Sequence, residues 1–522
     1  MSKLSPRATA RTLPGYTSST TILLLTYFIS IDPSFDGDDY DKVRILGGRW
    51  EHERWWHKLT QVCQRWRNLI LESSSYLGLC LVCTYGTPVA DMLALSPPLP
   101  LILHYMDSDR DIKAAAEEGI MLALKQRRRV HRIHFFMPIP NLERLIKVIV
   151  KEYPVLEYLI MMSSPEVVGT TTWKLPLTFL APHLRCLVLN DFTLPVVMTT
   201  KRLVTLYLIM DDPTRAYCPP YALFLYISFM RQLETLRIIF NFPVSDYDLE
   251  RLLEFEVMCM STMTHVTYPN LRWFEFQGAS AYLEAFVHWI DAPRLEKLNI
   301  RLFKQPTYSF PRLLRFMNTA KNVRFDSAKF EFSNNQVAVG MNLREEEVHT
   351  FLMAVYCFEL GSQISSLAQI FDSLSQTMFT VEHLTFKHEL HDEDHDELEV
   401  DRTEWHKLFG SFSNVKTLCV DDGLVDELAR CLRLNDGKHP LDVLPELQEL
   451  SYTGTDDIGD TFTSFLDARK NAGRPITLNV PSRNSKPSFS ESSDVMTDSS
   501  SAWSSDAWNS EAAWSSEAWS SW

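Results

Sequence analysis

Two cysteines and a run of histidines are the residues of this chain whose types and spacing first suggest chemistry. Cys80 and Cys83 form a C-x-x-C pair. A redox or zinc role needs a second pair of ligands, or a helix N-terminus that depresses a thiol pKa. The pair sits instead in an apolar, strand-like run, "CLVCTYGTP", and reads as core. His383, His388, His391 and His395 fall within "HLTFKHELHDEDHDELE", beside Glu389 and Asp394. Imidazoles and carboxylates are metal ligands, yet His388-Glu-Leu-His391 is one residue short of the two-histidine helical zinc motif. A run so charged reads as a solvated loop, and no metal is assigned. Asp211-Asp212 and Asp421-Asp422 follow strand-like segments, where aspartate commonly holds a turn. The sequence has no G-x-S-x-G elbow, phosphate loop or dinucleotide fingerprint. The expectation is a protein that binds rather than catalyses, without catalytic residues or cofactor.

The elements around these residues set the class. The net charge is −15, which argues against a nucleic-acid partner, because phosphate contacts need a basic surface. The basic cluster Lys125-Gln126-Arg127-Arg128-Arg129 reads as the solvated end of a helix, where cations face the negative end of the dipole. Nine cysteines without tight spacing, and no Asn-x-Ser/Thr sequon, favour a reducing, intracellular compartment, cytoplasmic or nuclear. The apolar stretch "TILLLTYFIS", residues 21–30, is too short to span a bilayer. No membrane partner is expected.

Residues 131–480 carry a repeated unit, Pro-x-Leu-x-x-Leu/Phe. It appears at Pro154-Val-Leu156-Glu-Tyr-Leu159, Pro182-His-Leu184-Arg-Cys-Leu187 and Pro269-Asn-Leu271-Arg-Trp-Phe274. It recurs at Pro293-Arg-Leu295-Glu-Lys-Leu298 and Pro445-Glu-Leu447-Gln-Glu-Leu450. The same unit without proline starts at Leu203, Leu233, Val381 and Val415. In L-x-x-L-x-L the last pair alternates as a strand does, so one face points inward. The first Leu belongs to the turn that feeds the strand. Proline fixes φ and donates no ladder bond, which places it at the strand's first residues. Helical stretches such as "NLERLIKVIVKEY" and "SAYLEAFVHWI" lie between units. Strand then helix, repeated, is the pattern of a leucine-rich solenoid, whose units stack because none can bury its own face. From Leu156 to Leu295 spacings run from 19 residues (Leu184 to Leu203) to 38 (Leu233 to Leu271), and Phe192 stands where a post-strand Asn is expected. The reading is therefore an irregular α/β solenoid.

The chain divides into a polar N-terminus (1–20), a short helical region with an acidic insert (21–79), the solenoid (80–480) and a tail (481–522). The tail, "SSDVMTDSSSAWSSDAWNSEAAWSSEAWSSW", is Ser-rich and acidic. Its tryptophans have too little apolar company to form a core, so disorder is expected.

Within 21–79, "LTQVCQRWRNLILESSSYLG" has one apolar face. It resembles the second half of an F-box, whose pattern is roughly L-x-x-V-C-[RK]-x-W-R-x-L followed by a Ser/Pro turn. Leu59, Val62, Cys63, Trp66, Arg67 and Leu69 fall on that pattern in order. "ILLLTYF" resembles the first F-box helix, with Leu24, Leu25 and Phe28 on its apolar face. The Leu-Pro that normally precedes it is displaced to Leu13-Pro14, and a long acidic insert separates the halves. The run through "YLGLCLVCTYGTPVADMLALSPPLPLILHY" is similar to mushroom-type fungal F-box proteins. The resemblance implies an α+β layout: a small helical module, then an irregular leucine-rich-repeat-like solenoid. It also implies a role as substrate receptor of a cullin–RING (SCF-type) ubiquitin ligase. Leu24, Leu25, Phe28, Leu59, Val62, Cys63, Trp66 and Leu69 would serve the module and its Skp-type adaptor, and the solenoid would hold a protein substrate that the sequence does not identify. A second reading is a stand-alone protein-binding solenoid with no ligase role.

Overall fold

All nine units become strands of one sheet, each entered through the same turn. The computed structural model describes residues 63–72, 79–106, 112–149, 152–163, 173–174, 179–190, 192–193, 201–211, 218–242, 264–343, 349–388, 401–433, 442–453 and 462–479. The expected polar N-terminus, first F-box helix and Ser/Trp tail lie outside these residues. Contacts divide the chain into units 1–479 and 480–522, and every described residue belongs to the first.

The first apolar residue of each unit lies before its strand, yet is as buried as the strand core. Leu156, Leu184, Leu203, Leu233, Leu271, Leu295, Val381, Val415 and Leu447 are all at most 2 % exposed. A tight turn drives it inward: the N–H of Leu184 donates to Ala181 O at 3.1 Å, Leu271 to Tyr268 O at 3.3 Å and Leu295 to Ala292 O at 3.1 Å. This corrects the expected place of proline. Pro154, Pro182, Pro269, Pro293 and Pro445 sit in the turn, at its second position, where a preset φ fits and no N–H is needed.

The main-sheet strands, numbered along the chain, are β1 Leu81–Cys83, β2 Leu101–Met106, β3 Val130–Met137, β4 Tyr158–Ser163, β5 Cys186–Asn190, β6 Thr205–Met210, β7 Thr235–Phe240 and β8 Trp273–Gly278. Then come β9 Lys297–Phe303, β10 Ser327–Phe332, β11 Gln336–Asn342, β12 Phe351–Tyr356, β13 His383–His388, β14 Thr417–Asp421, β15 Glu449–Thr453 and β16 Thr477–Asn479. Eleven helices are found among the described residues. They are α1 Gln64–Glu72, α2 Val89–Leu95, α3 Ala114–Lys125, α4 Ile139–Ile146, α5 Pro220–Ile227, α6 Ser280–Val287, α7 Pro311–Thr319, α8 Leu360–Met378, α9 Arg402–Gly410, α10 Val425–Leu432 and α11 Thr463–Asn471. None is long and apolar enough to cross a membrane.

The fold is mixed α/β with a large, mostly parallel sheet. In space the strands run β1 to β9 in chain order, then β12, β11, β10, then β13 to β16. Every pairing is parallel except the two made by β11. The reversal comes from an antiparallel meander that the repeat pattern did not predict. "FEFSNNQVAV" alternates apolar residues around a Ser-Asn-Asn turn, the local signature of a hairpin. Helix α8 must then carry the chain past three strand positions, about 14 Å. Its 19 residues give about 28 Å. Leu360, Ile364, Leu367, Phe371, Leu374 and Met378 repeat at alternating four- and three-residue steps and are all buried, so one stripe of α8 packs on the sheet.

One side of the sheet and the buried helix faces form a single continuous core. A second cluster, Ile160, Cys186 and Val188 with Tyr158, Met162 and Tyr207, consists wholly of strand residues. It belongs to the other face.

Neighbouring helices are tied by side chains as well as by packing. Glu284 of α6 is buried and accepts the N–H of Arg312 at 2.9 Å and of Leu313 at 2.8 Å. It thereby caps the first turn of α7, whose N–H groups have no partner within the helix. Burial pushes the Glu284 carboxyl up to about 6, against the pull of the two backbone N–H groups. The folded state thus penalises the charged form. The stability that comes from protonating Glu284 is fully present below the ordinary value of 4.5 and is lost as pH rises through about 6. We expect the Tm of the wild type, relative to Glu284→Gln, to fall between pH 4.5 and 6.5 and then level off. A difference that stayed constant or grew with pH, in paired thermal melts, would refute this account.

Candidate functional site

The second face of the sheet carries a row of unlike side chains aligned by strand register. Tyr207 on β6 lies opposite Arg237 on β7, Arg237 opposite Glu275 on β8, and Glu275 opposite Asn299 on β9. Period-two alternation sends these residues to the face opposite Leu206, Leu236, Phe274 and Leu298. Arg237 is 5 % exposed and Glu275 1 %. Charges so buried must be paired. Arg237 Nε lies 2.6 Å from Glu275 Oε2, and Arg301 Nη1 of β9 lies 3.7 Å from Glu275 Oε1.

Aromatic rings complete the arrangement. The Arg237 guanidinium is 4.4 Å from the Tyr207 ring centre and 5.0 Å from that of Trp273. Lys297 Nζ is 5.8 Å from the Trp273 ring. Rings and cations therefore alternate across β6 to β9, each ring offering its negative face to a cation. Arg132 repeats the device over Tyr158 at 4.9 Å. Nearer β1, His104 and His134 meet edge to face at 5.8 Å. Burial first, then His104 and Arg132, hold the His134 imidazole well below its ordinary range, so it is neutral at pH 7.

At the strand ends a chain of amides runs crosswise. Ser163 Oγ donates to Asn190 Oδ1 at 3.2 Å, and Asn190 Nδ2 donates to Asp211 Oδ2 at 2.6 Å. Asn241 Nδ2 donates to Asp211 Oδ1 at 2.5 Å, and Gln277 Nε2 donates to Asn241 Oδ1 at 3.0 Å. The post-strand Asn that the repeat lacks at Phe192 is thus supplied two residues earlier by Asn190. Asp211 bridges two strand ends. Guanidinium, ammonium, amide and ring groups recognise a ligand by hydrogen bonds and stacking, and they are what this face presents.

The residues expected to act elsewhere separate as follows. Leu24, Leu25, Phe28, Leu59 and Val62 lie outside the described residues. Cys63 is exposed at the start of α1, where its carbonyl accepts the N–H of Arg67 at 3.1 Å. Leu69 lies within α1. Trp66 and Leu71 are half-buried and pack with Ile70 against the main core. Cys83 is buried and Cys80 partly so. His383 Nδ1 is 2.6 Å from Thr417 Oγ1, facing the neighbouring strand. The His388 ring abuts Gly423, where a Cβ would lie only 2.8 Å from Nδ1. Glu389, His391, Asp394, His395 and Asp212 lie outside the described residues, and no group of three candidate metal ligands occurs among those described. In the basic cluster, Arg129 donates to Leu99 O at 2.9 Å and Pro97 O at 3.2 Å. Arg129 is thus a structural tie, whereas Lys125, at the end of α3, and Arg128 are exposed as expected.

The residues that sequence reasoning missed left a local signal. Arg237 and Glu275 each interrupt an apolar run, "TLRIIF" and "WFEFQG". A charge between buried neighbours on adjacent strands points to cross-strand pairing.

No family model matches this chain, and no curated protein matches it.

The ion pair generates a prediction. Glu275→Gln removes the carboxylate charge that lies 2.6 Å from the buried Arg237 and 3.7 Å from Arg301. Loss of one partner from a buried pair costs about 3–5 kcal/mol. Chemical denaturation should read a loss of that size, and the double variant Arg237→Leu/Glu275→Leu should regain part of it. A loss below about 1 kcal/mol, as for an exposed pair, would show that the carboxylate does not hold the row.

Proposed function

We propose that this chain is an F-box-like substrate-recognition subunit of a cullin–RING ubiquitin ligase. On this reading residues 21–79 dock a Skp-type adaptor. The sheet with its helices is an irregular leucine-rich-repeat-like solenoid that holds a protein substrate on its second face and strand-exit loops. The chain is then not a catalyst; it raises the effective concentration of substrate near the ubiquitin-loaded enzyme. The observation that carries the reading is one chain joining the Leu59, Val62, Cys63, Trp66 and Leu69 motif to a long sequential sheet with nine turn-and-strand repeats. The alternating cations and rings of β6 to β9 suit protein recognition, where aromatic and arginine side chains dominate contact energy.

A second reading rests on a different observation. Trp66 and Ile70 pack against the core that the strands share, so part of the motif serves the fold itself. That favours a stand-alone binding protein.

The exposed residue separates the two. Immobilised Skp-type adaptor should retain the full-length protein, and Cys63→Asp should weaken retention at least tenfold with an unchanged Tm. A folded wild type that is not retained, or a variant retained equally, would leave the stand-alone reading. Trp66 is the wrong probe, because its replacement disturbs the core.

A further inference from the structure

We propose that the turns at the entry end of β5 to β9 form a cationic edge that takes an extended acidic segment of a partner protein, with Lys201, Arg231 and Arg294 among its carboxylate-binding side chains. This edge lies at the opposite end of the strands from the exit loops. The inference therefore goes beyond the reading of the second face, and it does not depend on adaptor binding.

Charge is the first support. The turns that feed these five strands are residues 182–185, 201–204, 231–234, 269–272 and 293–296. They hold Arg185, Lys201, Arg202, Arg231, Arg272 and Arg294 against Glu234 and Glu296, in a chain whose 66 acids outnumber its 51 cations. The matching turns before β4, β13, β14 and β15 (154–157, 379–382, 413–416 and 445–448) hold Lys416 against Glu157, Glu382 and Glu446. The positive excess is thus confined to five turns that are neighbours in the sheet. A positive edge on an acidic protein attracts an acidic partner and fixes where it lands.

Access is the second. All six cations are exposed. Among the described residues, Arg185, Lys201, Arg231 and Arg294 form no ion pair. Arg272 has a long one, 3.7 Å from Nη1 to Glu296 Oε1, and Arg202 Nη1 lies 2.9 Å from His183 Nδ1. Helix capping does not account for the row. Helices α5 and α6 end at Ile227 and Val287, four and seven residues before Arg231 and Arg294, and the pull of a helix dipole fades within its last turn.

Spacing is the third. Strand register sets Cys186, Thr205, Thr235, Trp273 and Lys297 side by side, so equivalent positions of the five turns line up as well. Contacts between neighbouring turns follow that alignment: His183 meets Arg202, and Asn270 Nδ2 donates to Gln232 Oε1 at 3.1 Å. From the β5 turn to the β9 turn is four strand spacings, about 19 Å, a length that about six residues of extended peptide span. Glu234 and Glu296 interrupt the line. A peptide can place its carboxylates to miss them. A nucleic-acid strand, charged at every step, cannot, and the net charge of −15 repels it.

Fluorescence anisotropy on the full-length protein tests this with three fluorescein-labelled probes: a ten-residue peptide alternating Glu and Ala, one alternating Lys and Ala, and hexathymidylate. The Glu–Ala peptide should bind, more weakly as salt rises; the oligonucleotide should bind at least threefold more weakly, and the Lys–Ala peptide not at all. Lys201→Gln/Arg231→Gln should weaken Glu–Ala binding at least tenfold with an unchanged Tm. Should that variant prove unstable, Arg294→Gln alone should weaken binding at least threefold. Lys387→Gln/Lys470→Gln removes the same charge from exposed positions elsewhere and should leave binding within twofold of wild type. No binding of the Glu–Ala peptide, equal or tighter binding of either other probe, equal binding by the folded edge variants, or an equal loss in the Lys387/Lys470 variant overturns the proposal.

Discussion

The structure depends on a hydrogen-bond arrangement repeated where each strand begins. One backbone carbonyl accepts two successive N–H groups from the following unit. Glu157 O takes those of Arg185 and Cys186, Arg185 O those of Val204 and Thr205, Val204 O those of Glu234 and Thr235, and Glu234 O those of Arg272 and Trp273. The series then passes through Arg272 O to Glu296 and Lys297. Each unit is thereby pinned to the one before it at a single point, and side-chain rows align across the sheet because a one-residue slip would turn every apolar residue outward.

That pinning explains how an irregular repeat makes a regular sheet. Between Leu156 and Leu295 the distance from one unit to the next varies twofold, but only the turn and the strand must match. The series stops at β9, where the N–H of Leu298 donates instead to Thr350 O. It resumes at Asp326 O, which takes Glu382 and His383, and continues through Glu382 O and Lys416 O. The interruption coincides with the meander. The sheet absorbs it because β12 is parallel to β9 and β10 is parallel to β13, so both ends of the insertion present the direction the series needs.

The same alignment assembles the row on the second face. Tyr207, Arg237, Trp273 and Lys297 come from four strands spread over some ninety residues of chain. They meet only because register brings them side by side. The buried carboxylate of Glu275 fixes Arg237 between its two rings.

Much of this was legible in the residues themselves. The L-x-x-L-x-L spacing determined where nine strands begin and which side of each is apolar, because side-chain period is a local property. The stop-and-start of helices, and the absence of a long apolar span among the described helices, were legible for the same reason. The hairpin at Ser333 had a local signal too, in its alternation. What only the tertiary structure decided is which strands become neighbours. The order β9-β12-β11-β10-β13, the pairing of Arg237 with Glu275, the cap that Glu284 places on α7 and the bridge from Asn190 through Asp211 to Asn241 all join residues far apart in the chain. A pattern within one segment specifies which face of that segment is buried. It does not specify what lies across from it, because that is set by hydrogen bonds that exist only once the neighbouring strand has arrived.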